Sequence, residues 1–136
     1  MSNPVVHAER SAAKWGGVPE DYLALHRWFD ATKGHLADNR HRLVLHNSFG
    51  ILLAEQVFGA ALTNNVGRRV FVRDLGVQHV TEDLGFVPTL AECLSGIPLA
   101  PWMAGAKYRG PLTTGAQCVE RPLSAAGGAG ATDETH

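Results

Sequence analysis

The side chains of this chain best suited to chemistry are its histidines and carboxylates. Histidines stand at positions 7, 26, 35, 41, 46, 79 and 136. Neutral imidazole is the commonest metal ligand near neutral pH, and carboxylates complete such sites for zinc, iron or manganese. The expected ligands of a divalent metal ion are His35, His46 and His79, with His26 as a fourth. A bound ion would bring the pKa of a water molecule towards neutrality. Glu55 or Asp83 would then act as general base or ligand orienter, and Arg42 would steady an anionic substrate group. The chemistry implied is that of a metal-dependent hydrolase or lyase acting on a small polar substrate. No H-E-x-x-H, paired C-x-x-C or adjacent His-Asp pair is present, so the number of histidines carries this reading more than their spacing.

Helical spacing sorts the candidates. His79 and Asp83 stand at i and i+4, as do His26 and Asp30, so each pair projects from one helix face. A straight helix through 41–55 puts His46 beside Gly50 and sends His41 to a different face. His41, between Arg40 and Arg42, is expected to be exposed. Glu55, between I-L-L-A and Q-V-F-G, is expected to be buried and must be paired, protonated or metal-bound. Arg40, Arg42 or Arg73 could pair with it as a plain salt bridge. His79 and Asp83 could equally be a helix-stabilising pair worth a few tenths of a kcal/mol. Two other roles therefore stand beside the enzyme: a non-catalytic protein that encloses its metal, and a metal-free oligomerising module.

The elements that would position these residues are mostly helices. Asn3-Pro4 reads as an N-cap and first-turn proline for a helix reaching Trp15. Pro19 opens a second helix to about Thr32, with an aromatic face of Tyr22, Trp28 and Phe29. From Asp38 one long helix is expected to run to Gly59, apolar nearly all round and hence central and buried, with Gly50 inside it marking a close crossing, a ligand or a break. A-L-T and R-R-V-F-V-R flank Asn64-Asn65-Val66-Gly67 as a β-hairpin, which must pack on helices or pair with another chain. Helical spacing returns from Asp74 to Gly85, and Thr89 with Glu92 forms a capping box for a short last helix. The fold class is mainly α, about five helices with one inserted hairpin. The helical domain is expected over 1–103, with 104–136 a flexible Gly/Ala-rich tail.

Composition narrows the partners. A chain of 136 residues, 45% hydrophobic, can bury a core as one domain without disulfides. The net charge of −1 supplies no basic field for nucleic acid, which is not expected as a partner. The N-terminus lacks a secretory apolar segment, and no stretch is long enough to span a bilayer. Cys93 and Cys118 make no disulfide framework. A cytoplasmic protein is expected, with a small-molecule substrate, no membrane association, and self-association into a homo-oligomer open to it.

The run K-x-H-x-A-D-x-R-H-R at 33–42 is followed by His46, Gly50, A-E-x-x-F-G at 54–59 and Q-H-V-x-E-D-L-G at 78–85. With H-A-E-R-S-A-A-K-W-G-G and P-E-D-Y-L-A-L-H-R-W-F-D nearer the N-terminus, this pattern resembles a group of small bacterial proteins classed as a domain of unknown function. The resemblance covers most of residues 7 to 103. It implies relatives and brings no activity.

Overall fold

The computed structural model describes residues 3–106. The part of the expected tail from residue 107 onward, with Cys118 and His136, lies outside the described residues. The chain divides into two compact units, Met1–Gly96 and Ile97–His136. In the second, the described residues hold one 3-10 turn, Pro101–Ala104.

The first unit is mainly α. Six helices are described: α1 Pro4–Trp15, α2 Glu20–Phe29, α3 Arg42–Leu45, α4 Ser48–Phe58, α5 Val72–Leu84 and α6 Leu90–Leu94. Short 3-10 turns at Ala31–Gly34 and Asn39–His41 join α2 to α3. The hairpin falls between α4 and α5, as β1 (Ala61–Thr63) antiparallel to β2 (Arg69–Phe71), with Leu62 opposite Val70. It packs on the helices through buried Val70. Asn64 also donates from Nδ2 to the Trp15 carbonyl at 3.2 Å and to Tyr22 Oη at 3.0 Å.

Local chemistry explains most of the boundaries. Asn3 Oδ1 accepts from Val6 N at 3.1 Å and opens α1. Thr89 and Glu92 form the expected capping box of α6. Helix α2 turns Tyr22, Leu25, His26 and Phe29 into the core.

The expected long helix from Asp38 to Gly59 is not there. It breaks at His46-Asn47 and yields both α3 and α4. Asn47 makes the break possible by serving both helices. Its Oδ1 accepts from Gly50 N at 2.9 Å, capping α4. Its Nδ2 donates to the carbonyls of Leu43 and Val44 at 3.0 and 3.1 Å, groups that the end of α3 would leave unpaired. The resulting corner is so tight that a Cβ on Gly50 would lie 1.8 Å from the Leu45 carbonyl oxygen. Nor is α4 buried all round. Gly50, Ile51 and Ala54 face the core, while Phe49, Leu52 and Val57 are exposed.

The core of Ala8, Tyr22, Leu25, Phe29, Leu45, Ile51, Ala54, Val70, Val72, Leu75 and Val80 contains a polar heart. His7, His26, His46 and His79 are each fully buried within it. Such groups must find partners, because an unpaired polar group out of water is costly.

Candidate metal centre

Three parts of the chain aim four side chains at one point. His79 and Asp83 come from α5, Asp30 from the C-terminal cap of α2, and His46 from the corner after α3. The close passage of α5 is possible because Gly76 has no side chain. A Cβ there would sit 3.1 Å from Ile51 and from the Phe29 ring.

The spacings suit an ion. One donor atom from each of Asp30, His46, His79 and Asp83 lies within 4.8 Å of all the others. His79 Nε2 is 3.5 Å from Asp30 Oδ1 and 3.4 Å from Asp83 Oδ2. His46 Nε2 is 3.6 Å from Asp30 Oδ1 and 2.9 Å from Asp83 Oδ2. A tetrahedral ion with bonds of about 2.0–2.1 Å has ligand–ligand edges of about 3.3–3.4 Å. Three of these distances are thus long for hydrogen bonds and close to the edges of a coordination shell.

Two further imidazoles flank the group. His7 Nε2 lies 3.3 Å from Asp83 Oδ1, and His41 Nε2 lies 4.0 Å from Asp30 Oδ1. Each ring is anchored on its far side. His7 Nδ1 donates to Glu82 Oε1 at 2.5 Å, and His41 Nδ1 donates to the Asp38 carbonyl at 2.9 Å. A ring that donates from Nδ1 presents its Nε2 as the inward atom, the arrangement by which an outer carboxylate or carbonyl orients a metal-binding histidine. Among the described residues, His7 Nε2, His41 Nε2, His79 Nε2, both Asp30 oxygens and Asp83 Oδ1 have no hydrogen-bond partner. Buried polar atoms left in this way could be satisfied by a cation.

The electrostatics agree. Burial works to raise the Asp83 carboxyl, but His46, His7 and His79 outweigh it and hold it well below the usual carboxylate range. Burial also opposes ionisation of Asp30, and His79, Lys33 and His46 keep it ionised. Burial lowers His46 despite the neighbouring carboxylates. For His79 burial is outweighed by Asp30 and Asp83, which raise it. The two carboxylates thus stay anionic and draw positive charge inward.

The expected residues divide. His46 and His79 converge, and Asp83 joins them as a donor at the centre. Arg42 approaches Asp83 Oδ1 at 3.7 Å from the rim, its side chain 16% exposed. His35 is exposed at the end of the Ala31–Gly34 turn and does not enter the group. Glu55 lies elsewhere, half-buried and 3.7 Å from Arg73 in a plain salt bridge. His26 is buried beside the group, in a second cluster with His7 and His79. His41, expected at the surface, is buried with only 2% exposure. It ends the Asn39–His41 3-10 turn while His46 caps the end of α3, so the two do not share the straight α-helix that the sequence suggests.

Sequence reasoning gives no metal-binding role to Asp30, His7 or Glu82. Asp30 is marked there only as the i, i+4 neighbour of His26. Glu82 has a detectable signal: Gln78 and Glu82 repeat, one residue earlier, the i, i+4 spacing of His79 and Asp83. His7 stands alone on α1 with nothing near it in sequence to mark it.

Fold and site together define a small helical domain with buried His/Asp groups that could hold a metal ion. Residues 2–103 match the model of a family described as a domain of unknown function, DUF6915, and the chain belongs to that family. No curated protein and no solved structure matches it.

Proposed function

We infer that this is a divalent-metal-binding protein whose ion is held by Asp30, His46, His79 and Asp83. The observation that carries this reading is the convergence of four donors, 3.4–3.6 Å apart along three of their edges, with Asp30 Oδ1 and His79 Nε2 left without a hydrogen-bond partner among the described residues. Imidazole nitrogen with carboxylate oxygen, and no thiolate, suits zinc, ferrous iron or manganese. The side chains of His46 and His79 are fully buried, those of Asp30 and Asp83 nearly so. That enclosure favours an ion kept as part of the structure over one that turns over a substrate, since catalytic sites keep an open position.

The hydrolase or lyase reading rests on Arg42. It is the charged group that reaches both solvent and Asp83, and its Nε has no partner among the described residues. An anionic substrate group entering beside it would meet the ion and a guanidinium together.

Elemental analysis of untagged protein, followed by zinc and manganese titration of the chelator-treated form, tests the main reading. One ion per chain is expected, with tight binding that disappears in His46→Ala. Metal-free protein that binds none of these ions on titration would remove it. For the second reading, an Arg42→Met variant that still binds metal should lose protection of the ion by small phosphate or carboxylate anions against chelation.

A further inference from the structure

His26 belongs to the cluster of His7, His26 and His79, yet both of its ring nitrogens are engaged. Nε2 lies 2.8 Å from Ser11 Oγ and Nδ1 lies 2.9 Å from His79 Nδ1. The hydrogen positions along this line follow from its outer end. Gln78 Nε2 donates to the His7 carbonyl and to Glu82 Oε2, both at 3.0 Å, and neither can donate in return. The other amide atom of Gln78, facing Ser11 at 2.7 Å, is therefore the oxygen, and an amide oxygen only accepts.

The Ser11 hydroxyl has one proton, and both the Gln78 oxygen at 2.7 Å and the His7 carbonyl at 3.0 Å can only accept it. His26 must then donate from Nε2 to Ser11 Oγ. The His26 ring is fully buried with no carboxylate paired to it among the described residues, so it is neutral and its Nδ1 carries a lone pair. The proton between the two rings belongs to His79.

We propose that Gln78, Ser11 and His26 form a positioning chain that fixes the proton of His79 on Nδ1 and aims its Nε2 at Asp30 and Asp83. The chain rests on the metal-binding reading for its purpose, though its hydrogen-bond order stands without a metal. It starts at the surface, where Gln78 and Glu82 line a groove with Lys14, Trp15 and Asp74. It ends in the core. Gln78 also donates to Glu82, the carboxylate that orients His7, so one amide ties the anchors of two inward-facing rings together. His26 is thus a positioning residue that contacts the ligand His79 and does not itself take the ion.

Nitrogen-15 spectroscopy of the histidine rings in metal-free wild-type protein is the test. The expected spectrum has a proton on Nδ1 of His79 and on Nε2 of His26, with the His26 Nδ1 unprotonated. Zinc should then shift the His79 Nε2 resonance and leave its Nδ1 proton in place. In Ser11→Ala the His26 tautomer should no longer be single, and zinc should bind roughly 10–100-fold more weakly while the fold persists. An unprotonated His79 Nδ1 in the wild type, or folded Ser11→Ala with unchanged tautomers and zinc affinity, overturns the proposal. Should Ser11→Ala fail to fold, the wild-type tautomers alone uphold or overturn it. Wild-type protein with the expected tautomers and no affinity for zinc, iron or manganese would sink the metal reading and leave the hydrogen-bond order established.

Discussion

His79 and Asp83, one turn apart on α5, face the same point, with His79 Nε2 3.4 Å from Asp83 Oδ2. That distance is too long for a good hydrogen bond and short enough for two ligands of one ion. Asp83 also receives His46 Nε2 at 2.9 Å and neighbours Arg42 and His7, so with His79 it meets as many positive or potentially positive groups as Asp30 meets in Lys33, His41, His46 and His79. Asp83→Asn keeps the shape and removes the charge. It should weaken zinc binding at least 100-fold by isothermal titration, and the metal-free protein should unfold at a lower temperature, because His46, His7 and His79 favour the ionised carboxylate in the native state. Unchanged affinity would exclude Asp83 as a ligand.

Removal of the ion should loosen the whole first unit, because its ligands come from α2, α5 and the corner after α3. An ion present at about a thousand times its dissociation constant stabilises the native state by about 4 kcal/mol. For a domain of this size each kcal/mol moves the melting temperature by roughly 4–8 °C. Chelation should therefore lower the melting temperature by about 15–30 °C, and added zinc should restore it. His35→Ala should change neither the melting temperature nor the metal content, because His35 is exposed away from the group. Loss of metal from that variant would return His35 to the ligand set.

The corner at Asn47 is the least visible part of the fold in sequence and the part on which the site depends. Removing the Asn47 side chain leaves Gly50 N and the carbonyls of Leu43 and Val44 without their partners. An N-cap is worth about 1 kcal/mol, and two stranded, part-buried carbonyls add about 1–3 kcal/mol. Asn47→Ala should lose about 2–4 kcal/mol in urea unfolding and bind metal more weakly, although Asn47 is not among the ligands. Gly50→Ala should be worse, since its Cβ would meet the Leu45 carbonyl. A Gly50→Ala variant of wild-type stability would show that the corner is not as tight as described.

How much of this can be read from the sequence depends on the range of the interaction. Local signals are legible: the Asn3 cap, the Thr89–Glu92 capping box, the hairpin around Asn64–Gly67, and the i, i+4 pair of His79 and Asp83. The place of the helix break is not: Gly50 hints at one, but R-L-V-L-H-N-S-F-G-I-L-L keeps an apolar helical pattern straight through His46-Asn47. Only the side chain of Asn47, bonded in both directions, tips the balance. A straight helix in its place sends His41 to the surface and α4 to the centre, and neither position is the real one. The partners of His79 are legible only in part. Asp83 shows by spacing, whereas Asp30 pairs by spacing with His26 and reaches His79 from the end of α2 through tertiary packing. Glu55 misleads because the apolar letters around it on both sides suggest burial, whereas its helix exposes Leu52 and Val57 on the same stretch.

The metal-free protein should lose stability as the pH falls from 7 to 5. The native state holds His26 at about 3 against an ordinary value of 6.5, so between those limits the unfolded chain binds the proton and the native state does not. Stability therefore falls with falling pH across that window. His46, also lowered by burial, acts in the same direction. His79 acts oppositely: its raised pKa contributes stability that is full below the ordinary value and is lost as pH rises through the folded one. Asp30 and Asp83, held low, contribute above the ordinary carboxylate range and give that up only in stronger acid. Two imidazoles against one leave a net loss, and each pKa unit corresponds to about 1.4 kcal/mol. A fall of about 1–2 kcal/mol between pH 7 and pH 5 is expected in urea unfolding of chelator-treated protein. The slope should shrink in His26→Gln, which removes the titrating ring while keeping a group able to donate to Ser11. A midpoint that rises on acidification would show that His79, and not His26 and His46, governs the response.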